Sequence, residues 1–289
     1  MDRYKQIQEK IKGKYNTLPR NHKKVADYFI DNFDRIPFLN VQDIAKSTGT
    51  SVASVVRFAQ RVGFEGFSEI RDAVAETLQD QMNNKTIFPL FDKHSVEEDL
   101  LTEVANVDIM NINNTLNLIE RKTFNDVINR IQKAERVFTA GLGISYLLSE
   151  ILAYQLTQVG IDSTVLKHTH TLFHEQILFM NKKDLLIVFS FPPYSKETVE
   201  AASFAKNRNI DVIAITNKHA SPVTFFTKAN LIVKSENMLF TNSFAAISVL
   251  INAIATACAL KRKSRAQKIL KETEEIMESQ SQIITGSEK

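Results

Sequence analysis

Between residues 41 and 67 the chain reads VQDIAKSTGTSVASVVRFAQRVGFEGF, with polar side chains spaced to meet nucleic acid. Ser54, Arg57 and Arg61 fall three and four residues apart, so on a helix they share one outward face. A hydroxyl with two arginines behind it suits base edges and phosphates in a DNA major groove. Ser51 is placed to cap the start of that helix through its hydroxyl, and Val52 follows it on the side that would approach DNA. A second kind of chemistry is written later. Gly141-Leu142-Gly143-Ile144-Ser145 follows a short apolar strand, and Ser190-Phe-Pro-Pro-Tyr-Ser-Lys-Glu-Thr198 follows another. Glycine backbone, hydroxyls on Ser145, Ser190, Ser195 and Thr198, and the mobile cation of Lys196 suit a small anion at helix N-termini. Tyr194 completes that candidate effector-binding set.

Each set needs a scaffold. For the first, Ile44, Ala45, Val55 and Phe58 are spaced as the inner positions of two crossing helices, with Gly49 in the turn. Upstream, Tyr4, Ile7, Ile11 and Tyr15 mark one amphipathic helix, and Val25, Phe29 and Phe33 mark another after Pro19. Residues 68–78 continue as a helix with Ile70 and Val74 inward, and Arg71 adds to the basic residues nearby. Residues 1–78 therefore read as an all-α helix-turn-helix domain. Residues 79–95 lack periodicity, contain Pro89 and read as a linker.

From residue 96 helical spacing returns, and then the texture alternates. Short apolar strands are expected near 136–140, 162–166, 184–190, 211–216 and 229–233, separated by helices. DLLIVFS at 184–190 is apolar throughout, as a strand buried on both faces should be. Five alternations predict a five-stranded parallel sheet with helices on both faces, in the flavodoxin-like order 2-1-3-4-5. In such sheets ligands lie beyond the carboxyl ends of the strands, where both candidate loops fall. The domain is expected over 96–263, with a carboxy-terminal helix and tail over 264–289.

The chain has 289 residues and a formal net charge of +3, so a nucleic-acid partner requires its basic groups to be local. The single cysteine, Cys258, forms no internal disulfide, which fits a reducing cytoplasm. The apolar run at 244–260 is shorter than the ~20 residues a spanning helix needs, and the first residues are too polar for a secretory signal. Its stripe of Phe244, Ile247, Leu250, Ile251 and Ile254 reads as core or subunit interface. His168, His170 and His174 cluster after the second strand, but no matching Cys or acidic cluster accompanies them, and no metal or cofactor is assigned.

The run from Ser51 to Phe67 resembles the amino-terminal domain of RpiR-type bacterial transcriptional regulators, and the two strand-end loops resemble those of the sugar isomerase (SIS) domain. The resemblance implies a DNA-binding domain joined to an effector domain that holds a phosphosugar, in a homodimer or homotetramer. Carried over by position, Gly141, Gly143 and Ser145 match the first phosphosugar loop, and Ser190, Ser195 and Thr198 align with the second. The chain departs from the pattern at Phe191-Pro192-Pro193-Tyr194, where a small serine–glycine turn is usual. The leading expectation is a regulator of transcription without catalysis. The rivals are a phosphosugar isomerase, for which Glu150, Glu175 and His174 are the available bases, and a sugar-phosphate sensor acting through protein partners.

Overall fold

The computed structural model describes residues 3–84, 99–237 and 242–279. The chain forms two compact units that part between residues 94 and 95.

The first unit is helical: α1 (Arg3–Tyr15), α2 (Arg20–Asp31), a 3-10 turn (Phe33–Phe38), α3 (Val41–Thr48), α4 (Val52–Arg61) and α5 (Phe67–Asn84). Val25, Ala26, Phe29, Ile36, Ile44, Val55, Phe58, Ile70 and Val74 are fully buried, so every element after α1 gives an apolar face to one core. From α1 itself, Ile7 and Ile11 are buried. Phe29 of α2 meets Phe58 of α4 with ring centroids 5.2 Å apart, within the range of favourable aromatic pairs. Pro37 lies inside the 3-10 turn that bridges α2 to α3. The helix expected to stop at residue 78 continues to Asn84, while residues 85–95 of the expected linker lie outside the described residues.

The second unit starts with α6 (Leu100–Leu118) and α7 (Arg121–Lys133), and then alternates strand and helix. In order follow β1 (Val137–Ala140), α8 (Ile144–Gln158), β2 (Ser163–Val165), α9 (Phe173–Ile177) and β3 (Leu185–Ser190). After them come α10 (Lys196–Asn207), β4 (Asp211–Thr216), a 3-10 turn (Pro222–Phe226), β5 (Ala229–Ile232), α11 (Ala245–Lys261) and α12 (Lys263–Ser279). The strands are all parallel in the order β2-β1-β3-β4-β5, as the alternation implies.

β3 lies central and every one of its residues is buried, which is why its sequence lacks the polar alternation of a half-exposed strand. Its register with β4 runs from Leu185↔Asp211 to Ser190↔Thr216, so both strands end level. The amino ends of β1 and β3 are tied by Arg136 and the buried Asp184 at 2.7 Å, leaving the carboxyl ends for loops that can vary. α9 is a short helix of five residues. On α11, Ile247, Leu250, Ile251 and Ile254 are core, while Phe244 is 57% exposed. Cys258 is buried, and burial pushes its thiol up to about 11, so it behaves as a small apolar side chain. Residues 280–289 of the expected tail lie outside the described residues.

Candidate functional site

α3 and α4 form a helix-turn-helix whose ends are set by side chains. Asn40 and Asp43 make a capping box at the start of α3: the Asp43 N–H donates to Asn40 Oδ1 at 2.8 Å and the Asn40 N–H to Asp43 Oδ2 at 3.3 Å. Gly49 closes α3 at φ +60°, the left-handed region that costs an L side chain most. Ser51 caps α4 by accepting the Ser54 N–H at 3.2 Å, and the two hydroxyls lie 3.0 Å apart. Val55, Phe58 and Ala59 turn inward, which leaves Arg57 and Arg61 exposed on the other side, with Ser54 half-buried beside them. Ser51 and Val52 are exposed at the amino end of that face.

Arg71 does not join this group. Its guanidinium pairs with Asp72 at 2.8 Å on α5. There an open depression of about 790 Å³ is lined by Glu65, Glu69, Asp72 and Glu76 together with Val41 and Val56. The sequence placed Arg71 close to Arg57 and Arg61, but the fold sets it on an acidic flank. The exposed α4 arginines and this flank give the unit a polarity that net charge conceals.

In the second unit the two glycine and hydroxyl loops lie at neighbouring strand ends. β1 is central between β2 and β3, so Gly141–Gly143 and the loop after β3 emerge side by side. Gly141 is required by its own chain: a Cβ there would sit 2.6 Å from the Ser145 backbone. Gly143, not Ser145, occupies the cap position of α8, and Ser145 is a buried residue of the first helical turn.

The loop after β3 is more elaborate. Phe191 turns into the hydrophobic core, so its ring does not crowd the loop as its place in the sequence suggested. The Pro192–Pro193 bond is cis. Ser195 caps α10 by accepting the Thr198 N–H at 3.2 Å, leaving the Lys196 and Glu197 N–H groups without a partner among the described residues. Ser190 and Thr198, which bracket the loop, are 2% and 1% exposed, and neither hydroxyl has a hydrogen-bond partner among the described residues. Buried hydroxyls are normally bonded, so two orphans at one strand end mark a place where a polar partner would be satisfied. Lys196 is mostly exposed, with its ammonium 3.7 Å from Glu200.

Other groups complete the rim. The Tyr194 hydroxyl donates to Asn217 Oδ1 at 2.7 Å, just beyond β4, and Asn242 Nδ2 donates to the Pro192 carbonyl. Thr216 Oγ1 donates to the Ser190 carbonyl at 2.5 Å, fixing the end of β3 to β4. Glu197, in the first turn of α10, accepts the Phe173 N–H and pairs with His168 Nε2 at 2.8 Å. The three histidines thereby part: His168 meets Glu197, His174 packs edge-on against Phe204, and His170 is exposed. No group of three or more metal-ligating side chains converges among the described residues. Sequence reasoning missed Glu197, Asn217 and Asn242. Asn217 carried a usable signal, since it directly follows a strand; Asn242 is joined to the site only by tertiary packing.

A capped helix-turn-helix with an outward arginine face, followed by an α/β unit of SIS topology, defines a DNA-binding protein with an effector-type domain. Residues 5–81 match the rpiR-family helix-turn-helix domain and residues 130–257 the SIS domain. An HTH-type transcriptional regulator of Haemophilus influenzae is 30% identical over 75% of this chain and 76% of its own. The chain belongs to the RpiR family of helix-turn-helix transcriptional regulators.

Among solved structures, the sugar isomerase domain of an RpiR transcription factor from Sphaerobacter thermophilus is 25% identical, with a TM-score of 0.60. That match covers 62% of this chain and 99% of that one. The NanR protein of Vibrio vulnificus, solved with ManNAc-6P, is 24% identical over 94% of this chain and 97% of its own, with a TM-score of 0.59. Among the described residues no single helix is long and apolar enough to cross a membrane.

Proposed function

We propose that this regulator binds an operator in double-stranded DNA through α4 and is controlled by a phosphosugar held at the carboxyl ends of β1 and β3. Ser51, Val52, Ser54 and Arg57 read the groove, and Arg61 meets phosphate. In the second unit Gly141, Gly143, Ser145, Ser190, Tyr194, Ser195, Lys196 and Thr198 surround the effector. Its phosphate lies against the amino end of α10, where the Lys196 and Glu197 N–H groups point and the helix dipole favours negative charge. The observation that carries this reading is the pair of buried, unpartnered hydroxyls on Ser190 and Thr198. The ManNAc-6P bound by NanR supports a sugar phosphate as the ligand class.

The domain binds rather than converts its ligand. The acid–base pair at the rim, His168 with Glu197, is spent on joining the loop after β2 to the first turn of α10. The chain works in the cytoplasm as a homo-oligomer assembled through the second unit. There α11 packs beside both α6 and α8. Leu147, Ile151 and Tyr154 of α8 are 52%, 45% and 59% exposed at helical spacing, an apolar stripe suited to a second copy. An effector that prefers one arrangement of the pair changes how two recognition helices meet an operator.

A calorimetric screen of sugar phosphates against the full chain and Thr198→Val tests the proposal. Binding of at least one sugar phosphate, weakened in the variant, supports it; no response to any of them removes the effector assignment.

A further inference from the structure

His22 is a buried polar group that neither the core nor the recognition helix accounts for. It is 8% exposed, and its Nδ1 is sealed from solvent without a hydrogen-bond partner among the described residues. An unsatisfied buried nitrogen costs about 1–3 kcal/mol, so His22 is a cost that the free chain carries beside the start of α2. His22 sits in the first turn of α2, which begins after Pro19 and has no side-chain cap. The first backbone bond of the helix runs from the Lys23 N–H to the Pro19 carbonyl at 2.9 Å. The N–H groups of Arg20, Asn21 and His22 have no partner among the described residues, and the turn holds no acidic side chain.

α2 packs directly on α4. The Arg61 and Arg57 guanidinium groups act on His22 from that helix, and neither has a carboxylate partner among the described residues. Three N–H groups without a partner among the described residues, a positive helix end and an orphaned ring nitrogen thus share the first turn of α2, which packs on the helix that carries Arg57 and Arg61.

We propose that the first turn of α2, His22, Arg57 and Arg61 together hold a DNA backbone phosphate beside the recognition helix. The proposal rests on the reading of the first unit as the DNA-binding domain, and adds a contact from an element outside the helix-turn-helix. A phosphate there accepts the free N–H groups and neutralises the two guanidinium charges that crowd the ring.

A proton linkage follows. In the free chain burial, then Arg61 and Arg57, hold His22 below the ordinary imidazole range. The charges on the other elements around α2 are engaged elsewhere: Lys10 of α1 lies over Phe64, Asp43 of α3 closes its capping box, and Arg35 acts on Tyr28. On α2 itself Lys23 lies over Tyr15 and Asp27 bonds the Tyr15 hydroxyl. A docked phosphate reverses the field of the two arginines and raises the His22 pKa. Binding therefore takes up a proton. The added affinity is full below the free-state pKa and is lost as pH rises through the bound-state value.

The experiment titrates the full chain with a mixed-sequence duplex at fixed salt from about pH 8 to about pH 5.5, since phosphate contacts need no particular sequence. Wild type and His22→Gln are compared, proton uptake is measured by calorimetry in two buffers, and the His22 ring is followed by NMR with and without duplex. The expected result is an affinity that rises toward acid by up to about tenfold per pH unit in wild type. His22→Gln should lack the rise toward acid, and the duplex should shift the ring titration upward. A wild-type pH slope retained by His22→Gln, or a ring titration unmoved by bound duplex, overturns the proposal. Binding that depends on Arg57 but takes up no proton at His22 removes this phosphate site alone. Failure to bind duplex at any pH removes the DNA-binding reading with it.

Discussion

The two candidate sites are built on opposite plans. On α4 the working side chains are exposed, long and charged, and they come from one helix: Arg57 and Arg61 stand out because Val55, Phe58 and Ala59 turn in. At the carboxyl ends of the strands the working groups are short and come from several loops: Ser190 and Thr198 are buried, and Asn217 and Asn242 are half-buried and join the rim through hydrogen bonds. The proposed ligands explain the difference. A duplex is a large charged surface met from outside, where a few long cations suffice and screening by salt is unavoidable. A small anion must be held in a place drained of water, where each hydroxyl or N–H counts for more.

That contrast can be broken at either end, and the largest effect belongs to α4. Arg57→Ala should weaken DNA binding about 10- to 100-fold, as expected for ~1–3 kcal/mol of base or phosphate contact, with sugar-phosphate affinity unchanged. Fluorescence anisotropy and calorimetry on the same preparation check both halves. Equal loss of both activities would mean that the residue supports the fold instead.

Gly141→Ala probes the second plan through its scaffold. The added Cβ meets the Ser145 backbone at 2.6 Å, too close for either side to yield cheaply. Thermal unfolding should show the second unit losing about 1–3 kcal/mol. An unchanged melting curve would show that the turn after β1 is not held as described.

Thr198→Val is subtler, because the lost hydroxyl has no partner among the described residues. Folding stability should stay within about 1 kcal/mol of wild type while ligand affinity drops roughly tenfold. Destabilisation without loss of affinity would make the hydroxyl structural. Ser51→Ala should have the smallest effect, about 1 kcal/mol of first-unit stability for a lost cap, read as a shift in denaturant midpoint.

How much of this was legible before folding follows the same division. The α4 face depends on spacings of three and four, a turn glycine and a capping serine, all within one stretch; nothing distant was needed to read it. The sheet order was also accessible, since strand–helix alternation leaves few connections open. What escaped was set by packing, or by which of two near neighbours took a partner or a position. Arg71 looked like one more cation until its neighbour Asp72 claimed it beside an acidic depression. Phe191 looked like bulk in a ligand loop until it was seen in the core. Ser145 is drawn into the first turn of α8, which starts at Ile144 with Gly143 in the cap position. His22 carried no signal, because burial and neighbouring arginines are properties of packed helices.

The central claim is that one chain couples these two sites. The most direct measurement titrates sugar phosphates into the full chain bound to a duplex selected from genomic fragments, and reads the DNA affinity. The account predicts that at least one sugar phosphate shifts that affinity by about 5- to 150-fold, and that Thr198→Val loses the shift while still binding DNA. A sugar phosphate that binds without moving the DNA affinity, or a shift that survives Thr198→Val intact, would contradict it.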